Sequence, residues 1–408
     1  MEHAPWKPIL IAVIASFILL FTIYFIVTPK SGSLESGENI EKIVEFKDTY
    51  VAGHEEGRKS WRFYAEYGWS GKNKDITFLQ NVSDGKVYDK KGYLLVTDLE
   101  AYMVKAYRNS KDIEAEGQYD SLKKTPLMTY IAIAKKDGSK KRKFAYLKAD
   151  RLKYYHNRET TELNGHIYVK EKELSLWADR MNIDHNKETA DLQGDITAKR
   201  QDIDLTCQKL IYDSGKEQLM ARDGLSVDIK GTSPALVRAE EIVLFNDTEK
   251  DVLLNGNVNA AQGKKIAVAD NASYNKARKS LLLRNNVKTV LEKGKVILNE
   301  GTVEKLKNRE ARTLLEKKTL LNSDELLIST ENGDAMARGN VFVYQKGNEA
   351  KSDSAVYSEK NESIELTGNV YMIKEGKWVK AEQVNVSVKD ETFEAVGGVE
   401  AKFKLEVN

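Results

Sequence analysis

Six carboxylates recur in one local setting, because Asp150, Asp179, Asp270, Asp324, Asp353 and Glu382 each follow a small residue: Ala149, Ala178, Ala269, Ser323, Ser352 and Ala381. Cys207-Gln208 and Ala239-Glu240 occupy the same slot. Such a ladder could hold cations or, with two carboxylates converging, could drive glycosidic chemistry. Its fixed phase along the chain is better explained by a role in shape. His156 and His185 stand 29 residues apart in matching segments, His156-Asn-Arg-Glu-Thr160 and His185-Asn-Lys-Glu-Thr189. Repetition accounts for this pair without a metal. The single cysteine, Cys207, falls in the small-residue slot and reads as a buried substitute for alanine. Trp177 and Trp378 read as covers for the sheets in preference to sugar-stacking platforms. The sequence has no Gly-rich phosphate loop, no nucleophile elbow and no His/Cys cluster with metal-ligand spacing. No cofactor and no enzyme activity are therefore expected.

The elements that would carry these residues follow from a second pattern, apolar-x-Gly-x-apolar. It occurs as Leu163-Asn-Gly165-His-Ile167, Leu192-Gln-Gly194-Asp-Ile196, Leu254-Asn-Gly256-Asn-Val258, Ala337-Arg-Gly339-Asn-Val341, Leu366-Thr-Gly368-Asn-Val370 and Ala395-Val-Gly397-Gly-Val399. Asp223 and Asn285 keep the phase, so the centres are spaced 29, 29, 33, 29, 54, 29 and 29 residues apart. The small-acid pair begins 16 residues before most centres, and Ala239-Glu240 one residue further out. Upstream, Ala65-Glu66 before Asn81 and Ala115-Glu-Gly117-Gln-Tyr119 repeat the pattern weakly. A fixed period of this size means one supersecondary unit stacked on itself, with function spread over a shared surface.

Apolar residues alternate with period two on both sides of each centre, the mark of half-buried strands. Short polar joints such as Asn186-Lys-Glu-Thr189, Lys360-Asn-Glu362 and Lys374-Glu-Gly376 suit hairpins and are too short for parallel crossovers. Each period is then two antiparallel strands of roughly ten to twelve residues, longer than usual. The inward parity changes just after each small-acid pair: Leu176 and Ala178 share one parity, Met181 and Ile183 the other. A straight strand cannot slip this way, whereas a bulge or bend keeps both halves facing inward. The predicted fold class is therefore all-β, an elongated antiparallel folded-sheet trough of solenoid type.

Composition agrees. Lys+Arg 64 against Asp+Glu 62 gives a net charge of +2, so no strong field points to nucleic acid. Ile9 to Val27 is an uncharged run of 19 residues. It would reach about 28 Å as a helix, close to the hydrocarbon thickness of a bilayer. It reads as an uncleaved transmembrane anchor, with residues 1–8 as a cytoplasmic tail and 28–42 as linker. Two irregular stretches, 118–148 with the basic run Lys140-Lys-Arg-Lys143 and 295–320, are candidate seams. The basic run is expected to be a solvated loop.

Taken together, the anchor, the segment Trp61-Arg-Phe-Tyr-Ala65-Glu66 leading to Asn81-Val82, and the Ala-Asp and Leu-x-Gly-Asn-Val blocks resemble known sequences. The opening resembles the lipopolysaccharide-transport protein C family, and the later blocks the organic-solvent-tolerance A-like domain of the bridge protein in the same pathway. This implies a protein C-like trough with bridge-like repeats over 43–294, then C-terminal repeats over 321–408. It implies an inner-membrane protein, single-pass, with its bulk in the periplasm. Its cargo would be lipopolysaccharide, received from an inner-membrane ABC transporter. Its further partner would be a periplasmic bridge protein, or another copy, joined by edge-strand pairing through the alternating segment Glu400 to Val407. The lipid-binding groove would be lined by Met181, Ile183, Leu192, Ile196, Leu254, Val258, Val341 and Val370. Two other classes stand beside this reading: a structural or polysaccharide-binding β-solenoid at the cell envelope, and a surface hydrolase with converging carboxylates.

Overall fold

The computed structural model describes residues 42–402, apart from 73, 120–123, 136–141, 201–202, 231–234, 246–249, 263–264, 276, 292–317, 375 and 388–391. The expected anchor at Ile9 to Val27 and the tail after Lys402 lie outside the described residues, as does most of the 295–320 stretch. Among the described residues there is no α-helix.

The first section comprises β1 (Lys42–Glu55), β2 (Arg58–Gly71), β3 (Ile76–Tyr88), β4 (Leu94–Tyr107) and β5 (Ile113–Glu116). A small hairpin of β6 (Gln118–Tyr119) and β7 (Lys124–Thr125) follows, then β8 (Leu127–Lys135), β9 (Arg142–Ala149) and β10 (Arg151–Tyr155). The regular periods run through β11 (Thr160–Glu171), β12 (Leu174–Asp184), β13 (Thr189–Arg200), β14 (Ile203–Asp213), β15 (Gln218–Ile229) and β16 (Ala235–Phe245). They continue through β17 (Val252–Gln262), β18 (Lys265–Asn275), β19 (Ser280–Leu291), β20 (Thr319–Ser329), β21 (Ala335–Gln345) and β22 (Asn348–Ser358). The last strands are β23 (Ser363–Lys374), β24 (Lys377–Ser387), β25 (Thr392–Val396) and β26 (Glu400–Lys402).

All but β6 and β7 belong to one antiparallel sheet in which consecutive long strands are neighbours. Each long strand bends near its middle, so the sheet folds into two halves with the apolar cluster between them. The bend has a defined register. Between β11 and β12, Asn164 faces Arg180 and Ile167 faces Ala178, so Gly165 and His166 together oppose Asp179 alone. The same two-against-one bulge sets Gly256-Asn257 against Asp270 and Gly368-Asn369 against Glu382. β12 crosses the bend one residue shorter than β11, three positions from Ala178 to Met181 against four from Leu163 to Ile167, so the parity of β12 slips there and all four residues stay in the core.

The irregular steps resolve into insertions that leave the sheet unbroken. β5 and β8 together make one bent strand: β5 pairs with the second half of β4 and β8 with its first half. The β6–β7 hairpin is inserted at their bend. Likewise β19 pairs directly with β20 over their full lengths, so the 54-residue step adds length at a hairpin and no seam in the sheet. The 33-residue step is shared by two connections, since β15 ends at Ile229 and β16 begins at Ala235, and β16 ends at Phe245 and β17 begins at Val252.

Candidate functional site

The recurrent acids form the spine along which the sheet folds. In most periods the residue after the central glycine bonds the acid of the preceding strand: Asn286 Nδ2 donates to Asp270 (2.7 Å), Asn340 Nδ2 to Asp324 (2.8 Å) and Asn369 Nδ2 to Asp353 (2.9 Å). His166 Nδ1 meets Asp150 at 2.9 Å, and the Asp195 amide donates to Asp179 at 3.2 Å. Upstream, Asn81 Nδ2 donates to Glu66 at 2.7 Å. Both bulge residues are left-handed: Gly368 has φ +80° and Asn369 φ +47°. Glycine takes that conformation freely, and asparagine is the side chain that best tolerates it. Asp223 and Asn285, with φ 61° and 63°, can therefore stand where other periods carry glycine. These carboxylates are engaged at the bend by the residues of the bulge.

His156 and His185 are also structural. His156 Nε2 lies 2.6 Å from Glu55 Oε2, and His185 Nε2 lies 2.8 Å from Thr161 Oγ1. Burial pushes the His185 imidazole down to about 4, so it is neutral at pH 7. Cys207 is buried opposite Ile196 in the alanine slot, and burial pushes its thiol up to about 11. Arg142, from the basic run expected to be solvated, instead forms a buried ion pair with Asp89. Trp177 lies on the outer face of the sheet, 40% exposed.

The interior changes character along the stack. One set of inward positions falls five residues after each small residue of the spine. Tyr154 and Ile183 in this set are buried, whereas Tyr212, Leu244, Tyr274, Ile328, Tyr357 and Val386 are half-buried. Two residues before the spine, Leu147, Leu176, Leu205 and Ala267 are buried, and Val237, Leu321, Ala350 and Val379 are half-buried. The upstream section has a filled core around Phe63, Leu79, Ile113, Leu147 and Tyr154. Downstream, most of the same inward positions carry apolar side chains that are partly open, Ala267 being buried.

Polar contacts between the two rims seal the upstream section. One rim carries the turns 156–159 and 185–188, and the other carries turns 56–57 and 89–93. Across the gap, His156 meets Glu55, the Lys90 amide donates to Glu159 Oε1 (3.2 Å), and Lys90 Nζ donates to the Asn157 carbonyl (3.1 Å). A small cavity beside this seam is lined from both sides, by Ala132, Ile133 and Arg142 and by Ile183, His185 and Glu188. Farther along, turn contacts join neighbours on one rim, as in Ser214 N to Glu188 O (3.0 Å) and Lys279 Nζ to Glu331 (2.7 Å).

The expected groove residues Met181, Ile183, Leu192, Ile196, Leu254, Val258, Val341 and Val370 all face inward and are only 1–6% exposed. All but Ile183 form the floor of the trough, next to the bend, and Ile183 lies nearer the rim beside the seam cavity. The half-buried residues nearer the rims, such as Tyr274, Leu281, Ile328 and Met372, were not singled out by the sequence. Their period-two alternation was the available signal, but it does not give depth.

The described residues thus form one all-β folded sheet with a bent spine and an apolar interior. Residues 236–392 match the family model described as LptA/(LptD N-terminal domain) LPS transport protein. The match runs from β16 to the start of β25, the section whose interior is half open. Among solved structures, the chain is similar to LptH, the LptA homologous periplasmic component of the conserved lipopolysaccharide transport device from Pseudomonas aeruginosa. The identity is 12%, with a TM-score of 0.27, covering 35% of this chain and 95% of that one. No curated protein matches the chain.

Proposed function

We propose that the chain binds the acyl chains of lipopolysaccharide in its trough and passes the lipid along it, as a membrane-anchored periplasmic component fed by an inner-membrane ABC transporter. The observation that carries this reading is the change from a filled upstream core to partly open apolar positions over β14–β24, of which β16–β24 match the transport-protein model. Each acyl methylene kept from water is worth about 0.8 kcal/mol, so an amphiphile with several chains needs continuous shelter. A trough with one open side shelters the chains and leaves the sugar head in water. Similar apolar positions in successive periods give similar affinity at successive steps, so movement needs no chemistry along the path. The N-terminal anchor and the transporter contact rest on the resemblance of the opening segment to protein C of the pathway.

The ends of the sheet suit assembly. β26 pairs with β24 through Trp378–Lys402, and β25 pairs with β24 through Val384–Ala395, so one edge of the last bent strand is unpaired among the described residues. Phe393, Val396 and Val399 are exposed there. Such an edge invites strand addition by a bridge component or another copy.

Native mass spectrometry of the full chain, extracted gently from membranes, tests the proposal. A retained adduct with the mass of a multi-acylated lipopolysaccharide supports it. A lipid-free protein that also fails to take up added lipopolysaccharide overturns it.

A further inference from the structure

The two outer faces of the section β8–β13 differ in chemistry. On the half that runs toward turn 172–173, outward side chains form a continuous row across neighbouring strands. Tyr130 pairs with Tyr146, Lys148 with Tyr168, and Tyr168 with Trp177. Ring centroids are 5.4 Å apart for Tyr130 and Tyr146 and 5.2 Å for Tyr168 and Trp177. Lys148 Nζ sits 5.8 Å from the Tyr146 ring centre, and Lys199 Nζ sits 5.9 Å from that of Trp177. Tyr130 and Trp177 are exposed, at 43% and 40%. Among the described residues, the carboxylates of this half lie at its borders, Asp150, Asp179 and Asp195 at the bend and Glu173 in the turn, while the outward positions between them carry the rings and Lys148, Lys170 and Lys199. The other outer half carries Glu162, Asp184 and Asp191, with Glu114 and Glu116 on the adjoining β5, among the cations Arg151, Lys153 and Arg180, and Lys153 is held by Glu114 at 2.7 Å.

Five strands at ~4.8 Å spacing make a face roughly 20 Å wide, broad enough to rest on a surface. Tyrosine and tryptophan present an apolar body with a polar tip, and lysine reaches past them with its charge. That combination is the chemistry of a bilayer interface, with lysines drawn to anionic headgroups. A glycan site would need walls and convergent hydrogen-bonding groups, whereas this row stands on an open sheet face. Core packing does not explain it, because the rings point away from the interior.

We propose that this face docks on the surface of an anionic lipid bilayer and sets which side of the trough lies toward the membrane. The opposite face then points away. This orientation is separate from lipid carriage in the trough and from attachment by any other segment.

The test uses the full chain with Cys207→Ala, carrying one fluorophore at Thr197→Cys on the lysine-aromatic face or at Asn182→Cys on the opposite face. Vesicles contain nitroxide-headgroup lipid in phosphatidylcholine, with or without phosphatidylglycerol. The expected result is several-fold stronger quenching at position 197 than at 182, only with the anionic lipid, and lost in high salt. Replacing Lys148, Lys170 and Lys199 by Gln should lower the apparent affinity of this contact by roughly fivefold per lysine. Circular dichroism checks that the triple variant is folded, and the salt series stands without it. Equal quenching on the two faces, or quenching at 197 unchanged by both salt and the lysine substitutions, would overturn the proposal. A response of the 197 probe to lipid-free phosphorylated oligosaccharide but not to vesicles would also overturn it.

Discussion

The carboxylate of Asp353 fills the space that a side chain on Gly368 would need, and it accepts a 2.9 Å hydrogen bond from Asn369 beside that glycine. One acid thus holds the bulge by two means. Gly368→Ala should be destabilising, because an alanine at φ +80° costs about 1–2 kcal/mol in backbone energy and also collides with Asp353. Asp353→Ala should cost about 1 kcal/mol by loss of the bond to Asn369. The double variant should fall short of the sum, since removing Asp353 removes the collision. Amide exchange over β22–β24 measures this locally; a fully additive double variant would show that the carboxylate does not crowd the glycine.

His185 links the seam to pH. Its folded-state value of about 4 lies below the ordinary 6.5, so between these values the unfolded chain binds more protons than the folded one. The stability it contributes is fully present above pH 6.5 and is lost as pH falls toward 4, by on the order of 3 kcal/mol. Exchange in the turns 156–159 and 185–188 should therefore quicken over that window. In His185→Asn the pH dependence should flatten. A slope unchanged in the variant would assign the effect to another group.

The seam can also be loosened directly. Glu159→Ala removes the acceptor of the Lys90 amide across the rims. The loss of about 1–2 kcal/mol should speed exchange of that amide by roughly 5- to 30-fold. β20–β24 should be unaffected, being many strands away. Uniform acceleration along the chain would mean that the seam is not a local closure.

Much of this architecture was legible because its signals are local. The glycine beat, the small-acid pair and the parity slip between Ala178 and Met181 each report on a few neighbouring residues, and together they require a bent antiparallel stack. The seam was hidden because its partners are remote in sequence: Glu55 and His156 are 101 positions apart, and neither stands out alone. Arg142 read as solvated because a run of basic residues does not reveal a buried Asp89. Depth within the trough was hidden for a related reason. Alternation identifies Val258 and Tyr274 as inward without showing that the first is floor and the second nearer the rim.

The last strand should control assembly. Deleting residues 399–408 removes β26 and should abolish capture of a bridge component or second copy, while exchange protection in β11–β22 stays as in the parent chain. Undiminished capture would place the joint elsewhere, with the exposed edge of β1 as the next site to test.

The most direct test of lipid carriage is a photo-crosslinking series with radiolabelled lipopolysaccharide, delivered to the full chain in membranes. Probes replace floor residues Val258 and Val370, rim-side inward residues Tyr274, Ile328 and Met372, and the outward Lys187. The account predicts strong labelling at Tyr274, Ile328 and Met372, weaker labelling at the packed floor, and none at Lys187. Labelling of Lys187 equal to that of the inward set would contradict it.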